Sequence, residues 1–313
     1  MTLQQLAYFV ALADVGSFTA AADSLRVAQP TLSRQVKALE DELGSPLVQR
    51  SRHALVLTPA GEAVLPLARR MLADMESART AVAELVGLQR GRVRVGATPS
   101  LCIGVMADVL RTFHRRHPAI ALELAEGGSQ LLVESLQHNE IDLALVVVPA
   151  EGLAPGLELT PVLRERLSVA SPSAERPPSS RGSMTVRELG RRALVVPRRG
   201  YDVREVTLAA CAEAGVAPRF AVEGGEMDAV LRLVEAGTGV AVVPDIVFAG
   251  RPRLLRTALT PALYRTVALA RRADLVPSQA AQAFCATLLE HLRELSATGG
   301  FVGDVQVLGR AAD

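Results

Sequence analysis

Residues 17–50 read SFTAAADSLRVAQPTLSRQVKALEDELGSPLVQR and predict two short helices joined by a tight turn. Ser17 offers an N-cap oxygen to the first helix, whose alanines are small enough for close packing. The second helix is predicted from about residue 29 to residue 43, with Pro30 in its first turn and Gly44 at its end. This pattern indicates a helix-turn-helix.

The second helix has one apolar stripe and one polar face. Leu32, Val36, Leu39 and Leu43 recur at steps of four, three and four, which predicts a buried stripe. The polar side chains of the N-terminal half face the other way, as in a recognition helix that contacts bases and phosphates in a major groove. An ordinary amphipathic helix pair remains the alternative on this pattern alone. The residues predicted to contact DNA are Gln29, Pro30, Thr31, Ser33, Arg34, Lys37, Arg50 and Arg52.

Two elements on either side support this pair. A first helix is predicted before residue 16, capped by Thr2 and Gln5, with Leu3, Leu6, Val10 and Ala13 as its buried stripe. Two short strands at 47–50 and 54–57 enclose a tip of Ser51, Arg52 and His53, which predicts a wing whose Arg52 could reach a minor groove. A solvated arginine is the alternative for Arg52.

A long helix follows from residue 59 to about residue 89, with Pro66 near its start. Its apolar residues alternate steps of four and three, which is the seam of a coiled coil and predicts a dimer contact. Packing within its own chain is the alternative. The seam residues are Val64, Ala68, Met71, Met75, Ala78, Val82 and Leu85.

The N-terminal residues resemble the DNA-binding domain of LysR-type transcriptional regulators. The resemblance covers LQQLAYFVALADVGSFTAAADSLRVAQPTLSRQVKALEDELGSPLVQRS (3–51) and LTPAGEAVLPLARRML (57–72). Ala28 departs from it, because many members have a capping Ser there; the lost cap costs about 0.5–2 kcal/mol. The resemblance implies a bacterial, cytoplasmic regulator that binds double-stranded DNA, acts on RNA polymerase, and forms a homodimer or homotetramer.

Composition agrees with a protein of several domains. A length of 313 residues exceeds one ordinary core, and the net charge of +1 favours a small DNA footprint over a basic coat. No apolar run approaches the roughly 20 residues of a membrane helix, and the start lacks a signal peptide. We therefore expect a cytoplasmic protein without membrane contact.

From residue 91 strands alternate with helices, which predicts sheets flanked by helices. Strands are predicted at 93–96, 120–124, 143–147, 157–162, 167–170, 194–196, 219–222, 240–243 and 265–271. The stretch LVEAGTGVAVVP (233–244) resembles the family's effector domain.

The fold class is thus α/β with an N-terminal winged helix-turn-helix and a two-lobed, periplasmic-binding-protein-like effector domain. The expected domains are DNA-binding 1–58, linker 59–89, effector 90–298 and a flexible tail 299–313; lobe 1 spans about 92–161 and 266–298, and lobe 2 about 162–265.

Polar residues follow several of these strands, where open α/β sheets bind ligands. Helix starts there favour anions, so we expect a small-molecule effector, a carboxylate, between the lobes. Each of these residues could instead be a simple helix cap. The predicted contacts are Thr98, Pro99, Ser100, Gly128, Ser129, Arg199, Tyr201 and Glu226.

Enzyme chemistry is not indicated, since the five histidines lack a nucleophile or metal partners. Cys102, Cys211 and Cys285 lack zinc-site spacing and are expected as small buried side chains. Cys211 matches the resolving cysteine of the family's peroxide sensor, but Asp202 stands at the reactive position. We therefore predict no catalytic residue, no metal and no cofactor, and a ligand-responsive transcription factor. The alternative is a constitutive or architectural DNA-binding protein with a vestigial sensor domain.

Overall fold

Thr2 begins the first helix through a reciprocal capping box, because its hydroxyl accepts the Gln5 N–H and the Gln5 side chain accepts the Thr2 N–H. The computed structural model describes residues 1–50, 55–85, 91–148, 156–175 and 181–308. The chain divides into two units, Met1–Leu88 with His138–Glu140, and Gln89–Gln137 with Ile141–Asp313.

The first unit begins with three helices, α1 (Leu3–Val15), α2 (Phe18–Ser24) and α3 (Gln29–Leu43). The predicted stripe of α1 is wrong in part: Leu3 is exposed, Val10 and Ala13 are only partly buried, and Leu6, Phe9 and Leu12 enter the core with Tyr8. In α3 Leu32, Val36 and Leu39 are buried as predicted. Leu43 is exposed, because the helix ends there at the left-handed Gly44.

The wing consists of β1 (Val48–Arg50) and β2 (Leu55–Leu57), which pair antiparallel as predicted. Its predicted tip at 51–53 lies outside the described residues, as does Ala54, the predicted first residue of the second strand. Helix α4 (Pro59–Leu85) starts where the Thr58 hydroxyl accepts the Gly61 N–H at 3.0 Å and donates to the Pro46 carbonyl at 2.6 Å. The helix continues through Pro66, and its predicted last residues lie outside the described part.

The second unit begins with β3 (Gly91–Ala97), α5 (Pro99–Leu101), a π-helical turn (Cys102–Met106), α6 (Ala107–Arg116), β4 (Ile120–Glu126), α7 (Ser129–Gln137) and β5 (Leu143–Val147). These parallel strands follow the prediction, and β5 has the predicted bounds. Val93, Val95, Leu143 and Leu145 are buried beside Phe113 of α6, which forms one core with Phe284.

The chain then continues through β6 (Leu157–Pro172), β7 (Ser183–Thr185), α8 (Val186–Leu189), β8 (Ala193–Val196), α9 (Asp202–Glu213), β9 (Arg219–Glu223), α10 (Met227–Glu235) and β10 (Ala241–Pro244). A 3-10 turn (Asp245–Phe248), β11 (Leu254–Arg272), α11 (Gln279–Ala297) and β12 (Val305–Val307) complete the described part.

The two strands predicted at 157–162 and 167–170 are one strand, β6, and the strand predicted at 265–271 is the end of the longer β11. Pro161 does not interrupt β6: it is in register with Ala268 of β11, and a register shift lies beside it, between the pairs Leu163–Val267 and Pro161–Ala268. The main sheet has the order β10-β6-β11-β5-β3-β4, with β12 added to β6 and β7 to β11. The long antiparallel pair β6 and β11 therefore connects the two lobes.

The flexible tail predicted at 299–313 is wrong for residues 299–308. Strand β12 pairs with β6, and the buried Asp245 accepts the Asp304 N–H at 2.8 Å. Tyr264 donates to the Asp304 carboxylate at 2.8 Å as well. The sequence pattern did not reveal these contacts, because the partners of Asp304 lie 40 and 59 residues away along the chain.

No single helix in the described part is long and apolar enough to cross a membrane. The pair Leu3–Val15 and Phe18–Ser24, bent by 120°, meets the length and composition criteria only when the two are taken together.

Candidate functional site

The N-terminal half of α3 presents its polar side chains outward. Ala28 stands at the N-cap and makes no side-chain cap, as the sequence indicated. Pro30, Arg34 and Lys37 are exposed, and Gln29, Thr31 and Ser33 are half-buried. Because the three buried apolar residues face α1 and α2, the polar residues share a surface that a major groove can reach.

Arg34 and Lys37 differ in how far their charge is already matched. The Arg34 Nε donates to the Pro30 carbonyl at 3.3 Å, which leaves the guanidinium charge without a carboxylate among the described contacts. Lys37 lies 3.0 Å from the Asp41 carboxylate and 4.0 Å from Glu40. The hydrogen bond with Asp41 raises the pKa of the Lys37 ammonium. Arg34 is thus the cation most available to DNA on this helix.

Glu40 has a structural function that the sequence pattern did not reveal. Its Oε1 accepts the N–H groups of Leu47 and Val48 at 2.8 and 3.2 Å, which ties α3 to the start of the wing. The wing strand therefore has a fixed position relative to the recognition helix. Of the predicted wing contacts, Arg52 and the side chain of Arg50 lie outside what the structure describes.

The predicted seam of α4 divides into two parts. Val64 and Ala68 pack with Leu6, Phe9 and Leu39 in the core of the first unit. Met71 and Val82 are 43% and 61% exposed, and Leu67 beside them is 55% exposed. Exposed apolar side chains in such a row on one helix are typical of an interaction surface.

In the second unit, β6 and β11 bring a buried charge pair to the point where the chain crosses between the lobes. Glu165 and Arg265 are register partners, and their side chains are 0% and 2% exposed. The Glu165 Oε1 accepts hydrogen bonds from Arg265 Nε at 3.0 Å and Nη2 at 2.8 Å, and its Oε2 accepts the Ile246 N–H at 3.1 Å. Both groups are thereby satisfied without water.

Arg265 also connects the lobes. Its Nη2 donates to the Ser100 hydroxyl of lobe 1 at 2.7 Å, and its Nη1 donates to the Asp202 carboxylate of lobe 2 at 3.1 and 3.4 Å. Burial raises the pKa of Glu165, although Arg265 opposes this effect. Burial disfavours the charge of Arg265, but the neighbouring Glu165 and Asp202 carboxylates outweigh it and raise the pKa of the guanidinium.

Four of the predicted effector residues line one inner cavity beside Arg265, namely Thr98, Pro99, Ser100 and Tyr201. The Thr98 and Ser100 hydroxyl oxygens are 3.4 Å apart. The cavity has a free volume of about 10 Å³, which is on the order of the space that one water needs. The polar groups of a ligand site are therefore in place, but the protein itself fills nearly all the space between them.

Gly128, Arg199 and Tyr201 line a second, outer groove of about 270 Å³, together with Arg198 and Gly200. A Cβ on Gly128 would lie 2.5 Å from the Gly200 carbonyl oxygen, so only glycine permits this approach of the two lobes. Arg199 is exposed and has no ion pair among the described residues. This groove therefore has room and one exposed arginine, Arg199, although Glu134 also lines it and Arg198 is paired with Glu226.

Two predicted residues contribute less directly. The Ser129 hydroxyl accepts the Val147 N–H at 3.0 Å and so holds the end of β5. Glu226 accepts hydrogen bonds from Arg198 Nε at 2.7 Å and from the Tyr201 hydroxyl. Burial and the Glu226 hydrogen bond raise the pKa of Tyr201 to about 12. Tyr201 thus stays a neutral donor at the junction of the cavity and the groove.

Sequence reasoning missed Arg265, Glu165 and Asp202 as site residues. Arg265 gave a signal, because it begins the predicted strand 265–271, where a charge is costly unless paired. Glu165 gave none, since it stands between Arg164 and Arg166 in the gap between two predicted strands. Their partners could not be assigned, since Arg265 lies 100 residues from Glu165 and 165 from Ser100 along the chain.

The three cysteines have raised thiol pKa values. Burial raises the pKa of Cys102 to about 12 and that of Cys285 to about 11, and it also raises the pKa of the buried Cys211. Such thiols are poorly ionised at neutral pH and therefore poorly reactive. In the described part of the chain, no group of three or more His, Cys, Asp or Glu residues is placed to hold a metal ion.

Two family descriptions match this chain. The description "Bacterial regulatory helix-turn-helix protein, lysR family" matches residues 3–62, and "LysR substrate binding domain" matches residues 86–293. The first match contains the recognition helix, and the second contains the cavity, the groove and the crossing strands.

Individual proteins agree with these matches. A probable hydrogen peroxide-inducible genes activator of Streptomyces viridosporus is 30% identical, over 94% of this chain and 95% of that protein. A full-length OxyR variant of Pseudomonas aeruginosa is 28% identical, with a TM-score of 0.71 over 92% of this chain and 98% of that one. CbnR in complex with its target DNA is 28% identical, with a TM-score of 0.67 over 94% and 99% of the two chains. The chain belongs to the LysR family of DNA-binding transcriptional regulators, which are not enzymes and which bind small-molecule effectors.

Proposed function

We propose that this regulator binds operator DNA as a homodimer, or as a tetramer of two dimers, and responds to a small anionic effector. Residues 1–58 form the DNA-binding domain, 59–89 the dimerisation helix, and 90–298 the effector domain. The protein works in the cytoplasm, where the bound oligomer controls access of RNA polymerase to a promoter.

The α3 surface supports the DNA contact. Gln29, Thr31, Ser33 and Arg34 are the kinds of donor and acceptor that contact base edges, and Lys37 suits a phosphate. The proposal also assigns DNA contacts to Arg50 and Arg52, on their sequence positions alone. The net charge of +1 gives no general attraction to DNA, so binding depends on this local surface.

The effector site rests on one observation, the meeting of polar groups from both lobes around Arg265. Ser100 of lobe 1 and Asp202 of lobe 2 contact the same guanidinium. Because the Ser100 oxygen accepts from Arg265, its own proton can be donated either to the Thr98 hydroxyl at 3.4 Å or to a ligand. Thr98, Pro99 and Tyr201 line the cavity there, and Arg199 and Gly128 line the outer groove, which shares Tyr201 with the cavity. Ser129 and Glu226 hold these elements in place.

The mechanism follows from linkage. An effector that binds one arrangement of the lobes better than another shifts the population toward that arrangement. Strands β6 and β11 cross between the lobes, so a change at Arg265 alters the relative position of the lobes. In the oligomer this changes the spacing or bending of the bound DNA, and by reciprocity DNA changes effector affinity.

The inner cavity gives some support to the alternative, a constitutive DNA-binding protein with a vestigial sensor. Its free volume of about 10 Å³ is too small for an organic acid unless a side chain moves. The outer groove of about 270 Å³ favours the ligand-responsive function.

Thermal-shift measurements on the full-length chain test this function. We expect small organic acids, but not the corresponding amides, to raise the Tm of the wild type. The rise should be reduced in Arg199→Ala and retained in Arg219→Ala, an exposed arginine of β9 that lines neither space. Stabilisation by neutral compounds alone would contradict an anionic effector.

A further inference from the structure

Arg265 is held between two carboxylates that are not equivalent. Glu165 is fully buried and is fixed from both sides, by the guanidinium and by the Ile246 N–H. The Asp202 side chain is 17% exposed, and in the described contacts its one partner is Nη1 of Arg265. Asp202 can therefore exchange its guanidinium contact for water, whereas the fully buried Glu165 would lose both hydrogen bonds from Arg265 with no water to replace them.

The arms of Arg265 are divided in the same way. In the described contacts, Nε and Nη2 donate hydrogen bonds to Glu165 and Ser100, whereas Nη1 donates only to Asp202. Displacing Asp202 thus leaves Nη1 of Arg265 free to donate, while the buried pair of Arg265 and Glu165 keeps its hydrogen bonds. A carboxylate or similar oxyanion could take up the same two donor directions.

The local charge prevents an anion from simply being added. One guanidinium and two carboxylates sum to a charge of −1, and like charges at this distance repel strongly where water is excluded. The adjoining cavity also has the space of only about one water. An anion can reach Arg265 only when Asp202 leaves.

We propose that Asp202 is a resident carboxylate that occupies the effector position on Arg265, and that the effector is a small monocarboxylate that displaces it. This inference rests on the proposed function and assigns its ligand-binding arginine. Asp202 is the first residue of α9 in lobe 2, and Ser100 belongs to lobe 1. Displacement therefore removes a direct tie between lobe 2 and the crossing strand, which couples binding to lobe movement.

Isothermal titration calorimetry of the full-length protein with formate, acetate and propionate tests the proposal. Asp202→Asn removes the competing charge and keeps the shape, so these acids should bind about tenfold tighter than to the wild type. Asp228→Asn is the matched control, because Asp228 pairs with Arg251 and Arg232 on the surface of the same lobe. Its affinity should equal that of the wild type.

A second variant tests the proposal in case Asp202→Asn does not fold. In Asp202→Ala, formate should raise the Tm more than it does in the wild type, because it replaces the missing carboxylate on Nη1. Equal affinities in wild type and Asp202→Asn, together with loss in Arg199→Ala, would overturn the role of Asp202 and keep an anion site in the outer groove. Absence of binding to all variants would overturn both the inference and the anionic effector.

Discussion

The recognition helix α3 and the buried cluster of Arg265, Glu165, Asp202 and Ser100, here called the hinge, each contain an arginine, but the two arginines have opposite surroundings. Arg34 is exposed, and its described hydrogen bond goes to a backbone carbonyl four residues away. Arg265 is buried, and its donors all go to side chains of distant segments. The charge of Arg34 is thus without a carboxylate partner among the described contacts, whereas the charge of Arg265 is neutralised by Glu165 and Asp202.

The largest expected effect concerns the other outward-facing surface of the first unit, the seam on α4. Met75→Glu combined with Val82→Glu should convert the proposed dimer into monomers, because the half-buried Met75 and the exposed Val82 of the seam would then carry charge at the interface. Analytical ultracentrifugation measures the change. Arg70→Glu, at a half-exposed position outside the seam, should leave the dimer intact. An unchanged oligomer in the double variant would show that dimerisation lies elsewhere.

Substitutions in the hinge should instead change the free energy of unfolding. Arg265→Met leaves the Glu165 carboxylate buried without its partner, which should lower the free energy of unfolding by about 3–5 kcal/mol. Arg198→Ala breaks an exposed pair with Glu226 and should cost about 0–1 kcal/mol. Urea denaturation followed by circular dichroism is suitable, since the chain has no tryptophan. Equal losses in both variants would remove the distinction between buried and exposed arginines.

The same contrast explains what could be predicted from sequence. The α3 stripe was predictable because Leu32, Val36 and Leu39 lie within seven residues and the helical period alone places them together. The wing and α4 were also predictable from local signals, namely two short adjacent strands for the wing and the Thr58-Pro59 start for α4.

The hinge was only partly predictable. Residues after predicted strands, such as Ser100 and Tyr201, were placed at the site because strand ends meet at one edge of a sheet. The pairing of Glu165 with Arg265 depends on the register of two long strands, and no local pattern specifies it. The same holds for β12, whose partner strand lies some 140 residues earlier.

The smallest expected effect concerns a surface carboxylate of the second unit. Glu188 belongs to the capping box of α8, and the Thr185 N–H and hydroxyl lower the pKa of its carboxyl. A lowered folded-state pKa stabilises the protein above the pKa of the unfolded chain, and this contribution is lost as the pH falls through the folded-state value.

Glu188→Gln should therefore be less stable than the wild type at pH 7, and the difference should vanish in acid. Urea denaturation at pH 7 and at low pH measures it, with Thr185→Ala expected to show the same pH trend. A difference that grows as the pH falls would contradict the assigned direction.

The availability of the α3 cations to DNA is tested most directly by titrating operator DNA and random DNA with Arg34→Ala. We predict a loss of about 1–3 kcal/mol on the operator and a smaller loss on random DNA if Arg34 contacts a base edge, or equal losses if it contacts phosphate. Arg79→Ala, an exposed arginine of α4 paired with Glu76, should bind both as the wild type does. Unchanged binding of Arg34→Ala to both DNAs would contradict the proposed recognition surface.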